Sequence, residues 1–206
     1  MQYFKRFVIL ITVGCALTVL SVQAQQEQSE ALTSLKANLD QIETLAGDFE
    51  QTVYENNEVL QSLSGNFVLA RDSLLRWETL SPEPSTLVAD GETLWYYDPF
   101  IEQVSLFDQQ QMTESNALLV LLETSAELEG MRVTRDNLEW SIQGEDESQS
   151  LRMNFSPDGV LQGLHIQTGM NQFSVITFTN LQVNDSVDSN IFEFQIPEGV
   201  MVDDQR

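Results

Sequence analysis

The sequence predicts an α+β domain, a partly closed antiparallel β-barrel of about 11 strands lidded by helices. Three observations point there. Many short runs alternate apolar and polar residues, as strands with one dry and one wet face do. Asp90-Gly91 and Asp158-Gly159 are hairpin-turn signals between such runs. Two further segments carry apolar residues at helical spacing, and each needs an apolar surface to cover. A sheet of that many strands curls, and its concave apolar face is what the helices would bury. Larger barrels of this kind enclose ligand cavities.

Taken in order, the chain opens with Lys5 and Arg6, then an apolar run from Phe7 to Leu20, then Ser21-Val22-Gln23-Ala24. This reads as a cleaved secretory signal peptide over 1–24, followed by a single domain over 25–206. Cys15 lies inside the apolar run rather than at its end, and Thr12-Val13-Gly14 before it lacks a leucine, so it does not read as a lipidation site. The mature chain then has no cysteine. An exported fold without disulfides rests on core burial.

Residues 25–30 are polar and expected to fray. From Ala31 the apolar positions Leu32, Leu35, Leu39, Ile42, Leu45, Phe49 and Val53 recur every three or four residues, which predicts one amphipathic helix. After Glu55-Asn56-Asn57-Glu58 the period becomes two. Phe67 and Leu69, then Leu75 and Trp77, mark strands, as do Leu138, Trp140 and Ile142. So do Leu151, Met153 and Phe155, and later Phe192, Phe194 and Ile196. Between the strands, Thr113 is the expected cap of a second helix through Leu118-Leu119-Val120-Leu121-Leu122, ending near Ser125. It is apolar on nearly all sides and suits burial between two layers.

Thirty-two Asp and Glu stand against nine Lys and Arg, a net charge of −23. Such a surface repels nucleic acid and anionic lipid headgroups alike, so neither a nucleic-acid partner nor stable membrane insertion is expected. The residues also argue against catalysis. His165 is the single histidine, and alternation gives it a wet strand face shared with Leu161, Gly163 and Gln167. No nucleophile elbow and no Cys–His pair exist, and zinc lacks ligands. Asp185, Asp188 and the Gly144-Glu145-Asp146-Glu147 patch lack calcium-loop spacing and read as polar turns. No enzyme, cofactor or metal is expected.

What stands out is ADGETLWYYDPFIEQV, residues 89–104, where large rings gather around two turns. From the residues alone, Trp77, Trp95, Tyr97 and Phe100 are either plain core or the wall of a cavity. Alternation puts Trp95 and Tyr97 on one face.

The longer segment LLRWETLSPEPSTLVADGETLWYYDPFIEQV, Leu74 to Val104, resembles the LolA family, periplasmic carriers of outer-membrane lipoproteins. The chain end IPEGVMVDDQR, Ile196 to Arg206, and the start FEQTV, Phe49 to Val53, resemble it as well. The resemblance implies a half-open barrel and a monomeric periplasmic shuttle. Its cargo would be triacylated lipoproteins. Its implied partners are an ATP-driven, ABC-type extraction complex in the inner membrane and a lipoprotein acceptor on the outer membrane. It implies an acyl-chain cavity lined by Phe49, Phe67, Leu69, Leu75, Trp77, Trp95, Tyr97, Phe100, Leu118, Leu121 and Leu122. It implies that Arg71 is a latch, hydrogen-bonded to lid carbonyls when the cavity is empty.

Departures from the family pattern accompany this. Asp72 replaces a proline after Arg71 and offers it an acidic neighbour. Leu75 stands where a family member has phenylalanine. Gly169-Met170-Asn171-Gln172 replaces an acidic, glutamine-rich loop. Two other classes are an outer-membrane acceptor or lipid-sensing regulator of the same shape, and a lipid-directed hydrolase. The first needs a lipidated cysteine and the second a partnered histidine.

Overall fold

The computed structural model describes residues 26–113, 131–143 and 150–206. The expected leader, the expected helical run with Leu118, Leu121 and Leu122, and the Gly144–Glu147 patch lie outside the described residues. Residues 26–39 form a helix, α1. The strands are β1 (Thr44–Glu55), β2 (Glu58–Ala70), β3 (Leu74–Ser81), β4 (Ser85–Asp90), β5 (Thr93–Asp98) and β6 (Gln103–Asp108). A short helix, α2 (Gln109–Thr113), follows. Then come β7 (Arg132–Asp136), β8 (Glu139–Gln143), β9 (Ser150–Phe155), β10 (Leu161–Gln167), β11 (Gln172–Val183) and β12 (Met201–Asp204).

The twelve strands make one sheet in the order β12-β6-β5-β4-β3-β2-β1-β11-β10-β9-β8-β7. Every neighbouring pair is antiparallel except β12, which runs parallel to β6. No pairing among the described residues joins β12 to β7, so the barrel is open. This is the expected α+β architecture, one strand richer than the expected eleven or so. No helix among the described residues is long and apolar enough to cross a membrane.

Several local expectations are corrected. The helix predicted to run to Val53 ends at residue 39, and Leu45, Phe49 and Val53 belong to β1. A spacing of four is also twice a spacing of two, so the same residues share one face of a strand. Gly47 disfavours the helix, and the β-branched Thr52 and Val53 favour the strand. Residues 26–30 are helical, not frayed. Thr113, expected as a helix cap, is instead the last described residue of α2, whose start is capped by Asp108 Oδ1 accepting from Gln111 N (3.0 Å). Phe192, Phe194 and Ile196 form no strand. Ser189–Phe192 is a 3-10 turn capped by Asp188, whose Oδ1 accepts from Asn190 N (3.0 Å).

Antiparallel pairing gathers the turns at two ends. The tip end carries the β1–β2, β3–β4, β5–β6 and β10–β11 turns. There Asn56 and Asn57, both at positive φ, make a two-residue hairpin, and Asn56 N donates to Asn171 O (2.8 Å). The root end carries Arg71–Ser73, the Asp90-Gly91 turn and α2. Buried Gln109 ties it together, accepting from Gly91 N (3.0 Å) and donating to Ser73 O (2.7 Å).

The main core lies on one face, here the inner face, from Leu94 on β5 round to Val133 on β7. Helix α1 packs on it through Ala31 and Leu35. Trp140 anchors the helix, donating from Nε1 to Ala31 O (3.2 Å) and Ser34 Oγ (3.0 Å), with Arg135 stacked over its ring at 4.5 Å. The floor beneath is aromatic. Phe49 stacks on Trp77 at 3.9 Å, and Phe67 meets Phe178 at 4.7 Å. Gly65 sits opposite Phe49 in the β1–β2 register and makes that stack possible. A Cβ there would lie 1.8 Å from Glu78 O and 2.8 Å from the Phe49 ring.

Gly65→Ala is therefore expected to destabilise the fold by about 1–3 kcal/mol through overpacking. Urea denaturation monitored by tryptophan fluorescence measures this, and a midpoint equal to wild type would contradict the close approach.

Candidate functional site

Phe49, Phe67, Leu75 and Trp77 are buried together on the inner face, with half-buried Leu69 packed against them. The register explains their meeting: Leu69 lies opposite Leu75, and Phe67 opposite Trp77. Phe178, opposite Phe49 on β11, completes the floor. It was not singled out from sequence, although Ile176 and Phe178 alternating with Thr177 and Thr179 carry the signal.

Trp95, Tyr97 and Phe100 do not join this group. Leu94 is the inward residue of β5, lying opposite Ala89 and Phe107, so Trp95 and Tyr97 point outward. They do share one face, as alternation expects. The C-terminal segment covers them, with the Phe194 ring 5.7 Å from Trp95 and 5.9 Å from Tyr97. Buried Phe192, Val88, Val104 and Leu106 extend this second, outer core. Arg76 fastens the segment by donating to Ile191 O (3.0 Å). Phe100 is 88% exposed. Asp98 Oδ1 accepts from Phe100 N (2.9 Å), shaping a turn that carries the ring into water.

The Asp90-Gly91 motif has its own role. Asp90 accepts from Glu92 N (2.9 Å) and Thr93 N (2.7 Å), and its other oxygen accepts from Trp95 Nε1 (2.7 Å). Burial pushes the Asp90 carboxyl up, but the hydrogen bonds from Thr93, Trp95 and Glu92 outweigh it and hold it below its usual range. At the chain end, Arg206 donates to both oxygens of Asp204 (2.9 and 2.7 Å) and to Thr93 Oγ1 (3.3 Å). The paired guanidinium holds the Asp204 carboxyl down at about 2.

Arg71 reaches the end of α1. Its Nη2 donates to Leu39 O (3.1 Å), a carbonyl at the C-terminus of α1 that also accepts from Ile42 N (3.0 Å). Its backbone N donates to Glu43 O (3.0 Å). Asp40 and Glu43 lie within ion-pair range at 3.7 and 3.8 Å. Exposed Asp72, at positive φ, is not among its ion-pair partners.

His165 is not a simple solvated residue. Its ring stacks on Phe173 at 5.0 Å, and Phe173 stacks on Tyr54 at 4.6 Å. A bulge between Leu161 and Gly163 turns Leu161 to the inner core, away from His165. Burial, then the charge of Arg152, push the imidazole pKa down. Among the described residues no group of three or more His, Asp or Glu side chains lies placed to hold a metal. A cleft of about 620 Å³ between α1 and β7 is lined by Glu27, Glu30, Arg132 and Arg135 beside Ala31 and Val133, a mixed lining unlike the aromatic floor.

The family model for "Outer membrane lipoprotein carrier protein LolA" matches residues 40–195. The chain belongs to the LolA family. An outer-membrane lipoprotein carrier protein of Idiomarina loihiensis is 33% identical over 183 residues, 87% of this chain and 89% of its own length. One from Azotobacter vinelandii is 31% identical, covering 96% and 98%. The fold is similar to that of an uncharacterized conserved protein from Thermus thermophilus, with a TM-score of 0.51 at 11% identity, covering 84% of this chain and 99% of that one.

Asp90→Asn is expected to cost about 1–2 kcal/mol at neutral pH, since charged hydrogen bonds are lost. Because the folded-state pKa of Asp90 is depressed, its contribution is present above the unfolded value of 3.8 and fades as pH falls through the lower folded value. The stability gap between variant and wild type should therefore close on acidification, as measured by denaturation at a series of pH values.

Proposed function

We propose that this chain is a periplasmic carrier that shields the acyl chains of lipoproteins between two membranes. The leader over 1–24 is removed, and 25–206 works as a monomer. Cargo arrives from an ATP-driven extraction complex of the inner membrane and leaves to an outer-membrane acceptor. The observation that supports this reading best is the buried aromatic floor of Phe49, Phe67, Trp77 and Phe178, in one apolar cluster with a helix whose end is tied by Arg71.

The energetics suit a shuttle. Each buried methylene contributes about 0.8 kcal/mol, so an acyl chain of about 15 represents roughly 12 kcal/mol of transfer from water. A closed apolar container is required for transit. The same chain is equally at ease in a bilayer, so extraction needs an external energy source. Delivery needs only an acceptor of somewhat higher affinity, about 1.4 kcal/mol per tenfold.

A closed resting state lowers apparent affinity by the fraction of open protein. Covering Leu35 contributes about 2 kcal/mol, as does each comparable side chain of α1. The half-exposed Arg71 contact contributes about 1 kcal/mol. Apolar burial therefore sets the cost of opening, and Arg71 tunes it. An entering acyl chain offsets that cost by taking the helix's place on the floor.

Incubation with inner membranes, ATP and the extraction complex, followed by native mass spectrometry, is expected to show an adduct with one acylated lipoprotein. A chain that stays empty while a known carrier loads would overturn the reading. Arg71→Leu is expected to load yet fail to pass cargo on, and normal transfer by that variant would remove the latch.

A further inference from the structure

The large apolar side chains left exposed among the described residues are not scattered. Six stand on or beside four turns of the tip end: Val59, Leu60, Leu80, Phe100, Ile101 and Met170. Phe100 and Met170 are 88% and 89% exposed, and the other four 56–60%. Of the other five, Met201 (60%) begins β12 beside Gln103 at this same end, while Tyr96, Leu138, Ile196 and Val202 are less exposed, at 39–47%. Exposed apolar side chains gathered at one end of a sheet mark a place of contact.

These turns neighbour one another along the sheet, and Asn56 N to Asn171 O joins two of them directly. Asp98 holds the Phe100 turn in shape through its bonds to Phe100 N and Ile101 N (3.4 Å). The apolar row is thus presented by structured backbone.

Its border is acidic. Exposed Glu55 and Glu58 flank the β1–β2 turn, Glu83 lies in the β3–β4 turn, and Glu102 follows Ile101. Of the described basic residues, only Arg132, on β7 at the edge of the sheet, stands at this end. An anionic bilayer is repelled by such a border, and so is a second copy of the same end. We propose that the tip end is a docking surface for a protein partner presenting an apolar patch bordered by Lys and Arg. This is independent of the acyl-chain reading, because none of the six residues belongs to the inner core.

The probe is a designed amphipathic helical peptide with a leucine face flanked by lysines, titrated into the ¹⁵N-labelled chain. Amide shifts are expected around Leu60, Phe100 and Met170. The double variant Phe100→Ser with Met170→Ser is expected to weaken binding about tenfold or more, as is Leu60→Ser with Ile101→Ser. Raising salt from about 0.05 to about 0.5 M should weaken it several-fold, and a peptide with glutamates for lysines should not bind. Two sets of variants guard against a folding defect in one. Shifts confined to the inner face, or affinity unchanged in both double variants, would overturn the proposal. Tip-dependent flotation of the chain with phosphatidylcholine or phosphatidylglycerol vesicles would overturn it in favour of a membrane contact.

Discussion

The seating of α1 on the inner face of the sheet is the contact on which the rest of this structure depends. Leu35 is wholly buried there, Ala31 nearly so, and Ile42 just beyond the helix is buried as well. An open sheet leaves its inner face wet unless something covers it. The aromatic floor of Phe49, Phe67, Trp77 and Phe178 belongs to the same apolar cluster as α1, and left bare it would be an exposed apolar patch of the kind soluble chains avoid. Trp140 holds one part of α1 and Arg71 reaches its end, so the helix is fixed by two polar anchors around an apolar stripe. Burial supplies most of the stability, and the anchors supply position.

The same sheet solves a different problem on its other side. Strands β4, β5 and β6 are apolar on both faces, which would leave Val88, Val104 and Leu106 in water. The C-terminal segment covers them with Phe192 and Phe194, and β12 then pairs with β6 in parallel. Arg76, Asp90 and Arg206 supply the polar ties of this cover. The rings of residues 89–104 thus divide between two places, while Leu94 serves the inner core. Trp95 and Tyr97 serve the outer cover, and Phe100 is offered to solvent.

Period-two alternation carried most of the fold. Strands with one dry and one wet face, such as β8 and β9, are legible because Trp140 and Ile142, or Leu151 and Met153, stand alone against polar neighbours. The boundary between α1 and β1 was not legible, because Leu45, Phe49 and Val53 satisfy a helical stripe and a strand face equally. The inward face of β5 was also hidden. Leu94, Trp95, Tyr96 and Tyr97 are all large, so composition assigns neither side, and only the pairing of Leu94 with Ala89 and Phe107 decides. Phe192 and Phe194 misled for a related reason, since rings laid over a sheet alternate as rings within it do. The inner-face members Phe49, Phe67, Leu75 and Trp77 were found because each sits in a strand whose partners are apolar at the matching register.

The claim at the centre of this account is that acyl chains occupy the inner face under α1. A triacylated lipoprotein carrying a diazirine in one acyl chain, loaded onto the chain and photolysed, tests it most directly. Peptide mapping by mass spectrometry is expected to place the adducts on Phe49, Phe67, Trp77 and Phe178 or their immediate inner-face neighbours. Adducts confined to Trp95, Tyr97 and Phe194, or to the hairpin tips, would contradict it.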